Sequence, residues 1–222
     1  MLLLTHYVAP GELCVNIEVV GIVAFICAVV IGVYVRILTK RKRRRVDFFL
    51  GMGFSKPSPK KSRRLVEQLK IKSRGSVSLP FGAAVYVAPY LGGELIVCDL
   101  VVSVGLGRYA GFSKITVLGF SGDLGDESSF LMRKRHIMET RLELGNAQPL
   151  ESGWYVWSTV LNREYLDGLS QRIDEFGGEA ILRKKGPLIS LYFKNKYLRQ
   201  NEVEDKLSKW RGLCKMFVVS RA

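Results

Sequence analysis

The sequence has 222 residues, with 34 Lys and Arg against 20 Asp and Glu, a formal net charge of +14. Its four cysteines form no CxxC pair and it has two histidines, so we expect neither a disulfide framework nor a zinc or histidine metal site. The charge is concentrated, because residues 36–74 hold 15 basic side chains against two acidic ones, whereas residues 75–222 hold 19 against 16. Such a block is typical of a segment beside a membrane. A nucleic-acid-binding fold would spread its basic residues over a face of the folded domain.

A single membrane-spanning helix is predicted at residues 19–38. Residues 19–35 contain no charged, amide or hydroxyl side chain except Tyr34, and they lack the polar stripe of a helix buried in a soluble protein. Extended to residue 38, the run reaches the roughly 20 residues that cross a bilayer. A cleaved signal peptide would carry basic residues before its apolar core, and residues 1–18 have none. Because the Lys and Arg cluster follows the run, residues 1–18 are predicted to be extracytoplasmic and the rest cytoplasmic.

Residues 39–74 are predicted to form a polybasic juxtamembrane stalk. Pro57 and Pro59 argue against regular structure around them, and residues 63–72 have the apolar spacing of a short amphipathic helix. The apolar and aromatic side chains of residues 46–54 are predicted to dip into the inner leaflet, with a disordered linker as the alternative. Ten basic residues are predicted to contact anionic lipid headgroups: Lys40, Arg41, Lys42, Arg43, Arg44, Arg45, Lys60, Lys61, Arg63 and Arg64.

Residues 75–150 are predicted to be a strand-rich domain. Short runs of Val, Ile, Leu and Tyr between glycines indicate three or four strands of a small antiparallel sheet or barrel. Residues 105–111 read GLGRYAG, close to a dinucleotide-binding fingerprint. That motif needs a helix directly after it, and a strand-like run follows instead, so a hairpin connection is predicted. One helix is predicted at residues 129–144, with a strand as the competing interpretation because residues 138–144 alternate between apolar and polar.

Residues 151–222 are predicted to fold as a ferredoxin-like βαββαβ domain. Apolar residues recur at helical spacing in residues 163–176 and 201–213. Two helices on one face of a four-stranded antiparallel sheet would bury all the apolar stripes of this segment. The predicted strands are residues 154–161, 179–184, 188–194 and 214–220. The fold class predicted for the chain is therefore α+β, with one N-terminal transmembrane helix, a small antiparallel β domain and the ferredoxin-like unit.

The sheet face turned away from these two helices is the candidate binding surface. Alternation along the strands directs Trp154, Val156, Leu182 and Leu191 toward the helices and places aromatic and basic side chains on the other face. Six residues form the candidate surface: Tyr155, Trp157, Arg183, Tyr192, Lys215 and Phe217. This pattern suits single-stranded nucleic acid, through stacking and phosphate contacts. It equally suits packing on the strand-rich domain or on a second copy of the chain, or binding of a small ligand.

The sequence shows no Ser/His/Asp or Cys/His constellation, so neither an enzymatic activity nor a cofactor is expected. The first hypothesis is a non-enzymatic, single-pass protein that presents a cytoplasmic α+β module for protein–protein assembly. Its expected contacts are anionic lipid of the cytoplasmic leaflet and a protein partner or a second copy. The alternative is a membrane-tethered protein that binds RNA or single-stranded DNA through the sheet face. The order of segments resembles that of small-conductance mechanosensitive channels, which have several spans where this chain has one; the resemblance implies a third hypothesis, a subunit of a channel-like oligomer.

Overall fold

The fold is α+β in a computed structural model of the chain, which describes residues 17–69, 83–104, 111–124, 129–134, 146–158, 163–177, 180–193 and 196–219. The chain divides into two compact units, Met1–Phe48 and Phe49–Ala222. The described residues of the first unit form an apolar helix, and those of the second form an antiparallel sheet with helices. The predicted fold class is confirmed at this level.

Helix α1 (Ile17–Gly51) contains the predicted apolar run and continues through the basic block. The helix has no proline, so no backbone N–H is missing along it. It ends before Gly53, whose φ of 82° lies in the left-handed region that glycine adopts without steric cost. There the Gly53 N–H donates to the Leu50 carbonyl (3.0 Å) and the Phe54 N–H to the Phe49 carbonyl (2.9 Å). These two bonds satisfy carbonyl groups that the end of a helix leaves without partners.

An eight-stranded sheet forms the centre of the second unit, in the order β1-β2-β3-β8-β7-β4-β6-β5. Each strand runs antiparallel to its neighbours. The turn between the first two strands, Leu91 and Gly92, has φ of 47° and 73°, as in the two-residue turns that match strand twist. The strands are β1 (Ala84–Tyr90), β2 (Gly93–Val104), β3 (Gly111–Ser121), β4 (Phe130–Lys134), β5 (Gln148–Pro149), β6 (Trp154–Ser158), β7 (Ala180–Lys185) and β8 (Leu188–Phe193).

Two helices cover one face of this sheet. Helix α3 (Arg163–Asp174) packs near β7, and helix α4 (Gln200–Val219) packs near β3. The indole N–H of Trp210 donates to the carbonyl oxygen of Gly119 in β3 at 3.2 Å, which fixes α4 on the sheet. The side chains that these helices bury are mainly aliphatic: Leu166, Leu169 and Ile173 from α3, and Val203, Leu207 and Leu213 from α4.

A third helix, α2 (Pro59–Leu69), packs on the opposite face. Its Leu65, Val66 and Leu69 are buried in one cluster with apolar side chains of the first three strands and of β8. The sheet members of this cluster are Val85, Val87, Ile96, Cys98, Leu100, Val117, Leu188 and Tyr192. The second unit therefore has an apolar core on each side of its sheet.

The predicted strand at residues 214–220 is wrong, because residues up to Val219 belong to helix α4. Cys214 and Phe217 are buried and continue the spacing of Leu207 and Trp210, with steps of three and four residues that place all of them on one helix face. The fourth strand of a βαββαβ unit is thus missing from this segment, and the ferredoxin-like unit is not confirmed. Predicted strands and the helix at residues 154–193 correspond to β6, α3, β7 and β8.

In the middle of the chain, the predicted helix at residues 129–144 is wrong where the structure describes it. Residues Phe130–Lys134 form strand β4, in which Phe130 and Met132 are buried and Leu131 and Arg133 are half-buried, the two-residue period of a strand. Residues 135–145 lie outside the described residues. Of the glycine-rich stretch, residues 105–110 also lie outside them, but a strand, β3, follows it as predicted.

Strands from the two predicted domains lie in one sheet. Strand β3 pairs with β8, and β4 pairs with both β6 and β7. Strands from before the predicted boundary at position 150 and strands from after it are therefore interleaved in the sheet. The second compact unit also takes in residues from Phe49 onward, which were predicted to belong to the stalk.

Candidate functional site

Helix α1 is a candidate membrane span. Within the part of the chain that the structure describes, one helix, at Gly21–Gly51, is long and apolar enough to cross a bilayer, and none of its apolar window is buried. Phe25 is 70% exposed and Ile31 is 61% exposed. Exposing so much apolar surface to water is unfavourable, at about 25 cal/mol for each Å². The exposed surface and the helix length are both what a bilayer requires.

The basic cluster predicted to contact headgroups lies on the same helix. Lys40 and residues 41–44 are exposed, whereas Arg45 is buried, with 7% of its surface exposed. Five of the six side chains of this cluster are therefore accessible to an anionic surface. Arg45 is not accessible. The sequence shows only a run of consecutive basic residues and does not indicate which of them is buried.

The aromatic segment that follows was predicted to dip into lipid, and this is wrong for two of its residues. Phe49 and Phe54 are buried within the second unit. The Phe49 ring stacks on Tyr86 of β1 with ring centroids 4.2 Å apart, and Phe54 packs edge-on against Phe49. Ser55 then exchanges two backbone hydrogen bonds with Val87, at 2.8 and 2.9 Å, beside the outer edge of β1. The segment belongs to the protein core at this edge.

Helix α2 confirms the predicted amphipathic helix over residues 63–69, and residues 70–72 lie outside the described residues. The prediction that the prolines prevent regular structure around them is wrong from Pro59 onward, where the helix begins. Pro59 is its first residue, where the missing N–H costs nothing because the first N–H groups of a helix have no intrahelical partner. The Ser58 hydroxyl accepts a hydrogen bond from the Lys61 N–H (3.3 Å), as an N-cap does. The Lys61 ammonium forms a 2.6 Å ion pair with Glu94 of β2. Lys61 therefore attaches α2 to the sheet and is distinct from the exposed Lys60, Arg63 and Arg64.

The far end of α2 is fixed by a tyrosine on the sheet. Tyr192 Oη donates to the Leu69 carbonyl oxygen at 2.6 Å, and the Ser190 hydroxyl donates to Tyr192 Oη at 3.1 Å. Burial raises the pKa of the Tyr192 phenol above its ordinary value, so the phenol keeps its proton for this bond. Tyr192 was predicted to lie on an open sheet face, and it is instead 2% exposed beneath α2.

Three of the six predicted surface residues do lie together on the sheet. Tyr155, Trp157 and Arg183 are half-buried on β6 and β7, on the same face as α2. Strand β4 lies between these two strands and adds Arg133, whose guanidinium carbon is 5.1 Å from the centroid of the Trp157 ring. A cation over an indole face is attracted by the ring quadrupole. We call Arg133, Tyr155, Trp157 and Arg183 the aromatic–basic patch.

The other two predicted surface residues lie on helix α4. Lys215 is exposed there. Phe217 is buried, stacked on Phe130 with ring centroids 6.5 Å apart and edge-on to Tyr165. They were placed on the sheet face because residues 214–220 were predicted to be a strand.

Sequence reasoning missed Arg133 as a member of the patch, because its segment was predicted to be helical. The signal was only partial, because a two-residue period places Phe130 and Met132 on one face, and Leu131 shares the other face with Arg133. The ion pair between Lys61 and Glu94 joins residues 33 positions apart, and nothing in the sequence indicates it.

The buried polar groups of the second unit hold the fold together. Thr116 donates to the Asp99 carboxylate (2.9 Å) and accepts a hydrogen bond from the Leu198 N–H (3.1 Å), which secures the segment before α4.

Burial, and for Cys98 the neighbouring Asp99 charge, raises the pKa of the Cys98 and Cys214 thiols far above the ordinary value. Both thiols therefore stay protonated near neutral pH. Among the described residues, no group of three or more His, Cys, Asp and Glu could hold a metal ion.

No protein-family model and no curated protein matches the chain. A similar solved structure is the crystal structure of the mycobacterial trehalose monomycolate transport factor A, TtfA, which is 15% identical over 78% of this chain and 93% of that chain, with a TM-score of 0.45. A likeness at this identity and TM-score does not establish a common function.

Proposed function

We propose that this chain is a single-pass membrane protein that presents its α+β unit at the cytoplasmic face for protein–protein assembly, without catalysis. The observation that supports it best is α1, a helix long enough to span a bilayer whose apolar window is entirely exposed. The basic cluster after the apolar run favours a cytoplasmic second unit and headgroup contacts by residues 40–44. The second unit supplies the contact surface.

The aromatic–basic patch is the proposed contact surface for a protein partner or a second copy. Tyr, Trp and Arg are the residues most enriched at the energetic centres of interfaces, because they combine a large apolar area with polar groups. Here Arg133 and Trp157 already contact each other, so their side chains are ordered before a partner binds.

Alkaline extraction of membranes containing the full chain tests the anchor. We expect the chain to stay in the membrane pellet, and release into the soluble fraction would refute the proposal. Orientation is tested by placing an N-glycosylation acceptor near residue 5 or after residue 222. Modification at the second position alone would show that the predicted orientation is inverted.

Binding of single-stranded nucleic acid is the second candidate function, favoured by the stacking geometry of Arg133 and Trp157. The test is titration of the full chain in neutral nanodiscs with a fluorescent single-stranded oligonucleotide at several salt concentrations. Salt-sensitive affinity that falls about tenfold or more in Trp157→Ala would support it, since base stacking contributes about 1–3 kcal/mol. Equal binding by the variant Lys215→Ala, which alters an exposed cation outside the patch, is the control. If the chain does not bind the oligonucleotide, protein–protein assembly remains as the proposed function.

A further inference from the structure

We infer that the outward face of α2 is a second membrane-binding surface, one that belongs to the folded unit and recognises the anionic phosphate-bearing surface of the cytoplasmic leaflet. This inference rests on the proposed membrane anchor and adds a distinct site to it. The site consists of Lys56, Lys60, Arg63 and Arg64, which are all exposed.

The helix geometry gathers these cations on one side. Lys60, Arg63 and Arg64 are separated by three and four residues, so they occupy one stripe of α2, opposite the buried Leu65 and Leu69. Glu67 lies on the same stripe, and Lys56 lies just before the helix, which leaves a local charge of +3 over these five residues. Such a cluster attracts an anionic surface at ionic strengths where the Debye length is about 8 Å.

The apolar side of α2 decides how it binds. In an interfacial helix the apolar face enters the acyl boundary. In α2 the apolar face packs against the sheet, since Leu65, Val66 and Leu69 are all buried in the core. The helix therefore cannot insert, and its attraction to lipid comes from its cations alone. Binding is then reversible and sensitive to salt, unlike that of α1.

The contacts of α2 with the sheet hold its cations in place. Burial of Leu65, Val66 and Leu69 attaches α2 to the sheet, with the Lys61–Glu94 ion pair at its first turn and the Tyr192–Leu69 hydrogen bond at its last. An outward face held rigidly loses little freedom when it meets a surface. Only the side chains of Lys60, Arg63 and Arg64 have to be ordered.

A membrane fits this surface better than a nucleic acid does, because the same chain contains the candidate span. Between the predicted span, which ends at residue 38, and α2 lie the rest of α1 and then seven residues, 52–58. Even fully extended these seven residues reach about 25 Å. A helix this close in the chain to a membrane anchor meets lipid at a high effective concentration. The expected result is a folded unit drawn onto the leaflet through α2.

The experiment uses the full chain in nanodiscs that contain a spin-labelled headgroup lipid. A fluorophore is attached at Gln68→Cys, an exposed position on α2, in a chain with Cys14→Ser and Cys27→Ser. Cys98 and Cys214 are buried and are not expected to react. We expect strong quenching in discs with about one-third anionic lipid, weak quenching in neutral discs, and loss of quenching in about 1 M salt, where the Debye length is about 3 Å.

The decisive variant is Lys60→Gln, Arg63→Gln and Arg64→Gln together. Each cation near an anionic surface contributes about a factor of five, so the association constant of α2 with the leaflet should fall about 100-fold. The matched control is Lys185→Gln, Arg199→Gln and Lys215→Gln, which removes the same charge from exposed positions outside α2. Equal thermal unfolding of both variants shows that neither change acts through the fold.

Three results would overturn the inference. The first is equal quenching in anionic and neutral discs, and the second is an equal loss of quenching in both triple variants. Either result would show that α2 is not a specific membrane site, without affecting the anchor proposal. Binding of an oligonucleotide that needs the α2 cations, without anionic-lipid quenching, assigns the surface to nucleic acid. If the chain does not enter the discs, the anchor proposal fails, and sedimentation of the same full chain with anionic vesicles then tests the α2 site on its own.

Discussion

Helices α1 and α2 both combine apolar and basic residues, yet they use their apolar residues in opposite ways. The apolar residues of α1 are exposed throughout its apolar window, whereas those of α2 are buried against the sheet. A helix that combines basic and apolar residues can therefore leave its apolar residues exposed or bury them in a folded core. The difference lies in whether the protein offers a complementary apolar surface, as β1, β2, β3 and β8 do for α2.

The boundary between the two behaviours lies near Phe49, and a substitution there should have the largest effect. Phe49→Ala removes a fully buried ring stacked on Tyr86 and should lower the free energy of unfolding by about 4 kcal/mol. Unfolding of the full chain in detergent, followed by tryptophan fluorescence, measures it. The neighbouring Leu50 is 50% exposed, so Leu50→Ala should cost less than about 1 kcal/mol. Equal effects of the two variants would place Phe49 outside the core.

A charge in the middle of α1 tests whether its exposed apolar surface faces lipid. Val30→Arg should disfavour membrane insertion by about 3 kcal/mol, roughly a 100-fold change, because a charged side chain at the bilayer centre loses its hydration. The fraction of chain that resists alkaline extraction measures it. Leu50→Arg introduces the same charge on the same helix beyond the apolar run and serves as the control. An unchanged extraction profile for Val30→Arg would argue against a span.

The attachment of α2 at its last turn is tested by Tyr192→Phe. The variant keeps the ring and removes the hydroxyl that donates to the Leu69 carbonyl, which leaves a buried acceptor without that bond. We expect a loss of about 1–2 kcal/mol in the free energy of unfolding. Hydrogen exchange should rise in residues 59–69 before it rises in α4. A uniform rise across the second unit would show that α2 has no separate stability.

The ion pair at the first turn of α2 should have the smallest effect. Lys61 and Glu94 are 43% and 38% exposed, so the pair is expected to contribute only about 0.5 kcal/mol. A double-mutant cycle with Lys61→Gln and Glu94→Gln measures the coupling energy, which should shrink as salt is raised. A coupling above about 2 kcal/mol, independent of salt, would mean that the pair is shielded from solvent.

Local patterns predicted individual elements well where a single period dominated. The apolar run of α1, the helix at residues 163–174 and the strands at residues 180–185 and 188–193 were each predicted within a few residues. Errors arose where both periods were present. Residues 214–219 are a short, mostly apolar run of the kind found in strands, but they also extend the helical stripe of Trp210. Residues 130–134 were included in a predicted helix although their burial alternates.

The candidate surfaces depended more strongly on contacts that are distant in sequence. Tyr192 and Phe217 have the residue types of a binding surface, and each is buried by a partner more than 80 positions away, Leu69 and Phe130. Arg133 reached Trp157 only because β4 pairs with β6. A sequence pattern shows which side chains share a face of one element, but it does not show what covers that face.

The sequence by itself determined the apolar helix α1, the basic block behind it and the α+β class, because each depends on composition or on a period within one segment. The tertiary structure decided that the block is divided, with residues 40–44 exposed on α1 and α2 packed on the sheet through Leu65, Val66 and Leu69. It also decided that strands from both halves form one sheet. The physical reason is that burial requires a second surface, and the strand pairing that supplies it joins residues far apart in the chain.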